Sequence, residues 1–344
     1  MRIEFQALAL ASVGFVAACA TVPITGDPAV TVTAKAETVP VGTVNEDAAD
    51  DPAIWHNAAD PAASLIIGTD KKAGLYVYAL DGSQKSFLGV GLLNNVDLVE
   101  LADGTVLVAA SDRSDPATAH IFLASLDGAS GTLSPLGRFA VGPGEGYGLC
   151  MAQQDADGTV RVFSPVKDGA VVRTDLTRNS GEWQSNSTKL HQLASQPEGC
   201  VHDARTDTLY IGEEMAGVWA FDLASAKPLT LVAPIDNAQL VADVEGLALA
   251  PVGEDGGYLV ASSQGDNTYA VYRLPAMEPV GRFRIGAGQH GATEETDGIA
   301  LDIRNFGPDY PHGVFVAQDG DNRPSAQNFK LSSWAEILES LGEK

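Results

Sequence analysis

The chain has 344 residues, 45% of them hydrophobic, and a formal net charge of −24 at pH 7. The apolar content is enough for a large core, while 36 glycines and 18 prolines favour many turns over long helices. The acidity argues against a nucleic-acid partner, whose phosphates would be repelled, and is compatible with cation binding.

The N-terminus has the pattern of an export signal. Arg2 precedes the apolar run FQALALASVGFVAACA, which has the length of a secretory signal rather than of a membrane span. The run ends in VAAC, which is similar to the lipobox of bacterial lipoproteins, so residues 1–18 are a predicted signal peptide with cleavage before a lipidated Cys19. An ordinary signal peptide cut nearby is the alternative. Residues 19–44 are predicted to be a linker with one strand in AVTVTA.

Six segments in the rest of the chain resemble one another, among them SLIIGTDKKAGLYVYALDG and TLYIGEEMAGVWAFDL. Each is an apolar strand, a polar loop and a second strand, and they recur at roughly forty to fifty-five residues, the range of propeller blades. We therefore predict an all-β fold for residues 45–344, a six-bladed β-propeller of mostly four-stranded antiparallel blades. The tail SSWAEILESLGEK has apolar residues at helical spacing and predicts a short C-terminal helix.

Each segment also has a shorter partner upstream that begins with polar residues, as in DDPAIW, NNVDLVEL and DVEGLALA. Turn signals separate the partners, so the two strands run antiparallel and the start of the first lies beside the end of the second. The repeat therefore places polar residues from every blade at one mouth of the central channel. Strand starts supply Asp50, Asp51, Asn94, Asn95, Asp97, Tyr147, Glu198, Asp243, Glu245 and Asp297. Strand ends supply Lys71, Lys72, Arg113, Lys167, Asp168, Glu213, Glu214, Gln264 and Gln318.

So many carboxylates at one mouth would repel one another unless they were neutralised. Hard cations with oxygen ligands suit this set, and Ca²⁺ fits it better than Zn²⁺, which would favour His and Cys. The basic residues on the same rim indicate an anion bound together with cations. Phosphate is the leading candidate, and salt bridging around the ring is the alternative.

Two cysteines lie in the predicted propeller. Cys150 and Cys200 occur near equivalent points of successive repeats, one residue out of phase. In an exported protein they could form a disulfide, but two separate buried thiols are at least as well supported.

The motifs taken together resemble those of the β-propeller phytases, secreted bacterial calcium-dependent phosphatases with 3-phytase activity. The resemblance extends from about residue 50 to the C-terminus through DDPAIW, LNNVD, SSQG, TDGI, VFVAQDG and QNFK. It implies a six-bladed propeller that hydrolyses myo-inositol hexakisphosphate, or its calcium salt, with several Ca²⁺ ions bound. Together with the lipobox, it predicts an exported monomer. That monomer is either a lipoprotein of the periplasm or outer membrane, whose only membrane contact is the lipid on Cys19, or a secreted protein.

The resemblance assigns roles residue by residue. The catalytic residues would be Lys71, Arg113, Tyr147 and Lys167. The substrate would be held by Lys71, Lys72, Arg113, Lys167 and Asn94. The calcium ligands would be Asp51, Asp97, Glu198, Glu214, Asp243, Glu245, Gln264 and Asp297. Three residues depart from the family pattern: Asp70 and Asp112 stand where Asn is familiar, and Asp168 where Glu is.

The implied chemistry is direct attack of metal-bound water on phosphorus, with one phosphate in a cleavage subsite and its neighbour in an affinity subsite. If Lys71 and Lys72 continued an extended strand, their side chains would point to opposite sides, and each would serve one subsite. The alternatives are a calcium-dependent propeller lactonase or esterase, and a non-catalytic lipoprotein that uses the propeller as a binding module.

Overall fold

The computed structural model describes residues 24–225 and 227–343, so the predicted signal peptide and Cys19 lie outside the described residues. The described residues form six sheets. Two short strands come first, β1 (Val30–Thr33) and β2 (Ala36–Glu37). The strand predicted in AVTVTA is therefore present as β1.

Six blades follow in chain order, each beginning with its innermost strand. Blade 1 contains β3 (Ala49–Trp55), β4 (Leu65–Asp70), β5 (Gly74–Ala79) and β6 (Gln84–Gly89). Blade 2 contains β7 (Leu93–Glu100), β8 (Val106–Asp112), β9 (Thr118–Asp127) and β10 (Thr132–Pro143). Blade 3 contains β11 (Cys150–Met151), β12 (Val160–Pro165), β13 (Ala170–Asn179) and β14 (Glu182–Gln192).

Blade 4 contains β15 (Pro197–Asp203), β16 (Thr208–Glu213), β17 (Gly217–Asp222) and β18 (Thr230–Pro234). Blade 5 contains β19 (Val244–Val252), β20 (Gly256–Ser263), β21 (Thr268–Leu274) and β22 (Glu278–Gly286). Blade 6 contains β23 (Ile299–Asp302), β24 (Val314–Asp319) and β25 (Asn328–Ser333), followed by helix α1 (Trp334–Ser340). The predicted six-bladed propeller and its C-terminal helix are confirmed.

The hydrophobic core lies between neighbouring blades. Strand β4 is buried at all six positions because sheets cover both of its faces. The outermost strand β6 is largely exposed, since only its inner face meets a neighbour. One core cluster joins Leu107 and Ile121 of blade 2 to Val162 and Val172 of blade 3. Burying each of these side chains contributes about 2 kcal/mol relative to exposure.

The N-terminal strands close the ring. Strand β2 pairs antiparallel with β25, which completes a four-stranded blade 6, and β1 pairs parallel with β22 on the edge of blade 5. The Lys330 ammonium is fully buried and lies 2.7 Å from Glu37 and 2.9 Å from Asp319. Because a buried charge requires partners, this ion pair ties the N-terminal strand to the last blade.

The innermost strands approach one another closely at a repeated glycine. Gly148, Gly199, Gly246 and Gly298 each follow a polar residue at the start of a blade. A Cβ added at Gly199 would collide with the Glu245 carbonyl oxygen, and one at Gly148 with the Glu198 carbonyl oxygen. Only glycine permits this spacing, so the polar residues before the glycines are drawn together around the channel axis.

A disulfide joins two of these strands. Cys150 of β11 and Cys200 of β15 are bonded, with their Cα atoms 5.6 Å apart. The sequence supported two separate buried thiols at least as well as a bridge, and the structure has the bridge. No helix among the described residues is long and apolar enough to cross a membrane.

Candidate active site

A cavity of about 610 Å³ opens at the mouth of the channel where the innermost strands begin. Its lining contains eight carboxylates but a single lysine, Lys71. The carboxylates belong to Asp47, Asp50, Glu198, Glu214, Asp243, Glu245, Glu295 and Asp297. Nine of the nineteen residues predicted for the rim line this acidic cavity, which we refer to as the rim cavity.

Three carboxylates form the centre of the rim cavity. Glu198, Glu214 and Glu245 each present an oxygen, and these oxygens lie within 4.8 Å of one another. Glu198 and Glu245 are buried, and Glu245 Oε2 has no hydrogen-bond partner. Asp50 Oδ2 is likewise buried without a partner. Buried carboxylate oxygens without partners are costly, and a cation bound beside these two atoms would offset that cost.

Burial and mutual repulsion disfavour the charged forms of these acids. Burial, reinforced by the charge of Asp50, raises the pKa of Glu198 to about 7. Burial together with the charge of Glu198 raises the pKa of Glu245 well above its usual range. Burial also raises the pKa of Asp297, which the Lys71 ammonium only partly opposes. A bound cation would reverse these shifts by favouring the ionised carboxylates.

Lys71 supplies positive charge to one side of the rim cavity. Its ammonium lies 2.8 Å from Asp50, 2.9 Å from Asp47 and 3.4 Å from Asp297. Although burial opposes the charged form, these three carboxylates raise the pKa of Lys71, so it remains protonated. Strand β4 ends at Asp70, and Lys71 lies in the following turn.

Lys72 has a different environment. Its side chain is exposed, whereas Lys71 is only 10% exposed. The expectation that both lysines continue an extended strand is wrong, because the Ala73 amide donates to the Asp70 carbonyl and closes a turn over them. The two side chains nonetheless diverge, one into the rim cavity and one into solvent.

Arg113 and Lys167 lie beside Tyr147 at the edge of the rim cavity. The Arg113 guanidinium carbon is 6.0 Å from the Tyr147 ring centroid, and the Lys167 ammonium is 5.2 Å from it. Glu145 Oε1 lies 2.6 Å from Arg113 Nη2 and 3.8 Å from Lys167 Nζ. We call Arg113, Lys167, Tyr147 and Glu145 the basic edge, since two cations there share one carboxylate.

Tyr147 connects the basic edge to the carboxylates. Its hydroxyl donates to Glu214 at 3.2 Å and accepts from the Gln196 amide at 2.8 Å. Burial, followed by the charges of Glu198 and Glu245, raises the pKa of Tyr147, so the phenol stays protonated and acts as a donor.

Asn94 makes a second connection between the basic edge and the carboxylates. Its side-chain oxygen accepts from Arg113 at 2.7 Å, and its side-chain nitrogen donates to Glu198 at 2.6 Å.

Six of the eight predicted calcium ligands line the rim cavity, namely Glu198, Glu214, Asp243, Glu245, Gln264 and Asp297. Asp51 and Asp97 instead line a second cavity of about 450 Å³ farther along the channel. Asp51 accepts from the Val96 amide at 3.0 Å, and Asp97 accepts from the Met151 amide at 2.7 Å. Each of these two acids therefore connects its strand to the innermost strand of the next blade.

The three departures from the family pattern have local partners. Asp70 accepts hydrogen bonds from the amide and hydroxyl of Thr43. Asp112 accepts from the Ser114 amide and pairs with Arg138 at 2.5 Å. Asp168 accepts from the Ala170 amide at 3.1 Å. All three carboxylates thus hold turns at strand ends.

Four residues in the turns that enter innermost strands were missed from the sequence: Asp47, Glu145, Gln196 and Glu295. Each lies two or three positions before a polar residue that was assigned to the rim, namely Asp50, Tyr147, Glu198 and Asp297. The available signal was their position in the turn that enters an innermost strand. The repeat pattern was applied only from the first residue of that strand, so the entering turn was passed over.

The residues of the rim cavity fit a hard cation. Its potential ligands are carboxylate and amide oxygens, three glutamates converge there, and two buried carboxylate oxygens lack partners. This oxygen-rich set suits Ca²⁺ and lacks the His and Cys donors that Zn²⁺ prefers.

Comparison with known proteins gives a consistent family match. A family model described as "Phytase" matches residues 5–344. The chain is 37% identical over 331 residues to the "3-phytase" of Bacillus subtilis (strain 168), which covers 91% of this chain and 86% of that protein.

Among solved structures, a chain of the "Crystal Structure of Mitotic Checkpoint Complex" superposes with a TM-score of 0.51 at 14% sequence identity. The match covers 95% of this chain and 86% of that one. At this identity the likeness concerns the fold alone.

Proposed function

Because the chain belongs to the phytase family and is a phosphatase that hydrolyses phytate, we propose that calcium occupies its rim cavity and that its basic edge holds substrate phosphate. One observation carries the proposal: Tyr147 contacts both the carboxylates and the two cations of the basic edge. A phosphate placed beside Tyr147 would meet positive side chains on one side and a cation site on the other. A multiply phosphorylated substrate suits this arrangement, because neighbouring phosphates can occupy both regions.

The carboxylates of Glu198, Glu214 and Glu245 would hold the ion, with Asp243, Asp297 and Gln264 around them. When bound, Ca²⁺ neutralises phosphate charge and favours ionisation of water. Asp51 and Asp97, which line the second cavity, are proposed to hold a separate ion in the channel. Acid ligands ionise as they bind, so the site will gain affinity as the pH rises.

The basic edge stabilises charge on the phosphoryl group. Arg113 can give two parallel hydrogen bonds to phosphate oxygens, while Lys167 acts as a point charge. The protonated Tyr147 hydroxyl and the Asn94 amide keep these groups in register with Glu198 and Glu214. Groups that are positioned before the reaction cost no reorganisation in the transition state.

We propose that water attacks phosphorus directly. The new bond joins the water oxygen to phosphorus, the bond from phosphorus to the inositol oxygen breaks, and that oxygen takes up a proton that the water releases. Among the described residues that line the rim cavity there is no Ser, Thr, Cys or His to act as a nucleophile. A trapped phosphoenzyme would contradict this route.

The lipid anchor on Cys19 and the cellular location of the protein are also proposals. We propose export, either with lipid on Cys19 or after cleavage by an ordinary signal peptidase. Mass spectrometry of the mature N-terminus distinguishes the two outcomes.

The decisive experiment measures phosphate release from phytate with calcium, and then with a chelator. We expect release with calcium and its loss on chelation, with recovery when calcium is restored. No release with calcium present would contradict the proposal and favour the lactonase, esterase or binding-module alternatives, for which the basic edge has no evident use.

Arg113→Ala tests the basic edge directly. We expect kcat/KM for phytate to fall about 100-fold because a charge-assisted bidentate contact is lost. Arg113→Lys is the matched control, because lysine keeps the positive charge but cannot make two parallel hydrogen bonds. It should recover only part of the loss in kcat/KM. Unfolding temperatures should stay close to that of the parent protein. Unchanged turnover in Arg113→Ala would defeat the assigned role.

A further inference from the structure

Glu145 is shared by two cations that the proposed function assigns to substrate phosphate. Its Oε1 accepts from Arg113 Nη2 at 2.6 Å and lies 3.8 Å from Lys167 Nζ. The Arg113 and Glu145 side chains are only 23% and 25% exposed, so their pair is better shielded from water than an ordinary surface ion pair.

The backbone around Glu145 is held between the same two strand ends. The Lys167 amide donates to the Glu145 carbonyl at 3.2 Å, and Gly146 forms a bridge with Val166. On the other side, a Cβ at Gly146 would lie 2.6 Å from the Asp112 carbonyl oxygen. The turn that carries Glu145 and Tyr147 is therefore packed between the residues that precede Arg113 and Lys167.

Because of this packing, a single turn determines where the charged groups of the basic edge lie. Tyr147 places its ring beside both cations, and Glu145, two residues earlier, draws both toward one carboxylate oxygen. Without that carboxylate, two like charges next to each other would separate, and their flexible side chains would sample other rotamers. Glu145 also lowers the net charge that a bound phosphate meets, from two positive charges to one.

From these contacts, and resting on the proposed function, we propose that Glu145 is a positioning residue for phosphate hydrolysis. It aligns Arg113 and Lys167 before the substrate binds, and it limits how tightly they hold phosphate in the ground state. Tight ground-state binding does not raise kcat, and it would delay release of the phosphate product. Glu145 acts through the two cations and has no assigned contact with the reacting atoms.

Glu145→Gln removes the charge and keeps the shape of the side chain. We expect kcat for phytate to fall about tenfold because alignment is lost. KM should not rise, and the inhibition constant of inorganic phosphate should fall about threefold or more because the edge gains net positive charge. Glu145→Asp keeps the charge with a shorter reach, so it should recover part of kcat and restore weak phosphate inhibition.

Glu100→Gln is the control for the charge change. Glu100 is exposed at the opposite end of β7 from Asn94, and its neutralisation should leave kcat, KM and phosphate inhibition unchanged. A second test is a double-mutant cycle. In an Arg113→Ala background, Glu145→Gln should have a smaller effect on kcat than in the parent protein, since the two residues act together.

The outcomes separate this inference from the function on which it rests. An active parent enzyme with unchanged kcat and phosphate inhibition in Glu145→Gln would overturn the positioning role alone. The positioning role would also be overturned if Glu145→Gln and Glu145→Ala lowered the unfolding temperature and kcat in parallel while phosphate inhibition stayed unchanged. A parent enzyme that releases no phosphate from phytate would overturn the proposed function and this inference with it.

Discussion

Lys71 and Lys72 are adjacent in the chain but lie in different environments. Lys71 is 10% exposed and contacts three carboxylates, whereas Lys72 projects into solvent from the same turn. The first lysine therefore neutralises charge inside the rim cavity, and the second is free to meet an incoming anion. The division of labour that we propose for them therefore rests on burial rather than on strand geometry.

Separate alanine substitutions should distinguish the two lysines. Measured by denaturant unfolding in a chelator, Lys71→Ala should lower the free energy of unfolding by about 3 kcal/mol, because it leaves buried carboxylates without their partner. Calcium should recover part of that loss. Lys72→Ala should leave stability unchanged and raise KM for phytate.

Lys85→Ala on the exposed strand β6 is the control, and it should alter neither quantity. Equal stability and equal KM for the Lys71 and Lys72 variants would contradict the division.

The innermost strands determine where the acids meet. Gly199 and Gly246 follow Glu198 and Glu245 directly, and the absence of a side chain at each glycine lets the next strand pack against it. The Cys150–Cys200 disulfide fixes two of these strands within three residues of Tyr147 and Glu198. The spacing of the carboxylates is thus set by strand packing and by one covalent crosslink.

Loss of the disulfide should weaken both the fold and the site. Replacing both cysteines by serine should lower the free energy of unfolding by about 2–4 kcal/mol, because the unfolded chain regains entropy. The same variant should need more calcium for half-maximal phytate hydrolysis, since Glu198 and Tyr147 are held less firmly.

A reductant should reproduce both effects in the parent protein and have no further effect on the double-serine variant. Equal unfolding temperatures for the oxidised and reduced parent would show that the crosslink is dispensable.

At the scale of the whole molecule, ring closure concentrates negative charge. The chain has a net charge of −24, and eight of its carboxylates line one cavity of about 610 Å³. Burial raises the pKa values of Glu198, Glu245 and Asp297 in the folded state. Without a bound cation, the folded state is therefore less stable at pH values where these acids are ionised.

This charge predicts how stability depends on pH after calcium is removed. An acid whose pKa is raised by folding holds its proton longer in the folded state, so its stabilising contribution is present below the unfolded pKa and is lost as the pH rises through the folded one. In a chelator, the free energy of unfolding should therefore decrease as the pH rises from about 4.5, the ordinary pKa of a glutamate, to beyond the Glu198 pKa of about 7.

Unfolding temperatures measured between pH 5 and pH 8, with and without calcium, check this expectation. Calcium should remove or reverse the decrease, and Glu198→Gln should make it shallower in the chelator. A chelated protein that is more stable at pH 8 than at pH 5 would contradict it.

Repeat spacing and hydrophobic patterning were enough to identify the blades. An alternation of apolar strands and polar turns is a local property, and six similar copies leave few ways to bury their faces other than a ring. The same periodicity placed the polar strand starts at one mouth, because antiparallel neighbours share their ends. This is why nine of the nineteen residues predicted for the rim, including Glu198, Glu245 and Asp297, line one cavity.

The tertiary structure alone decided which of these groups meet. Asp50 and Asp51 are neighbours in sequence, yet Asp50 lines the rim cavity and Asp51 the cavity beyond it. The partnership of Glu145 with Arg113 and Lys167, like the Cys150–Cys200 bond, depends on how successive blades pack. Repeat patterns specify which end of a strand a residue occupies, but distances between blades arise only when all six sheets close around a common axis.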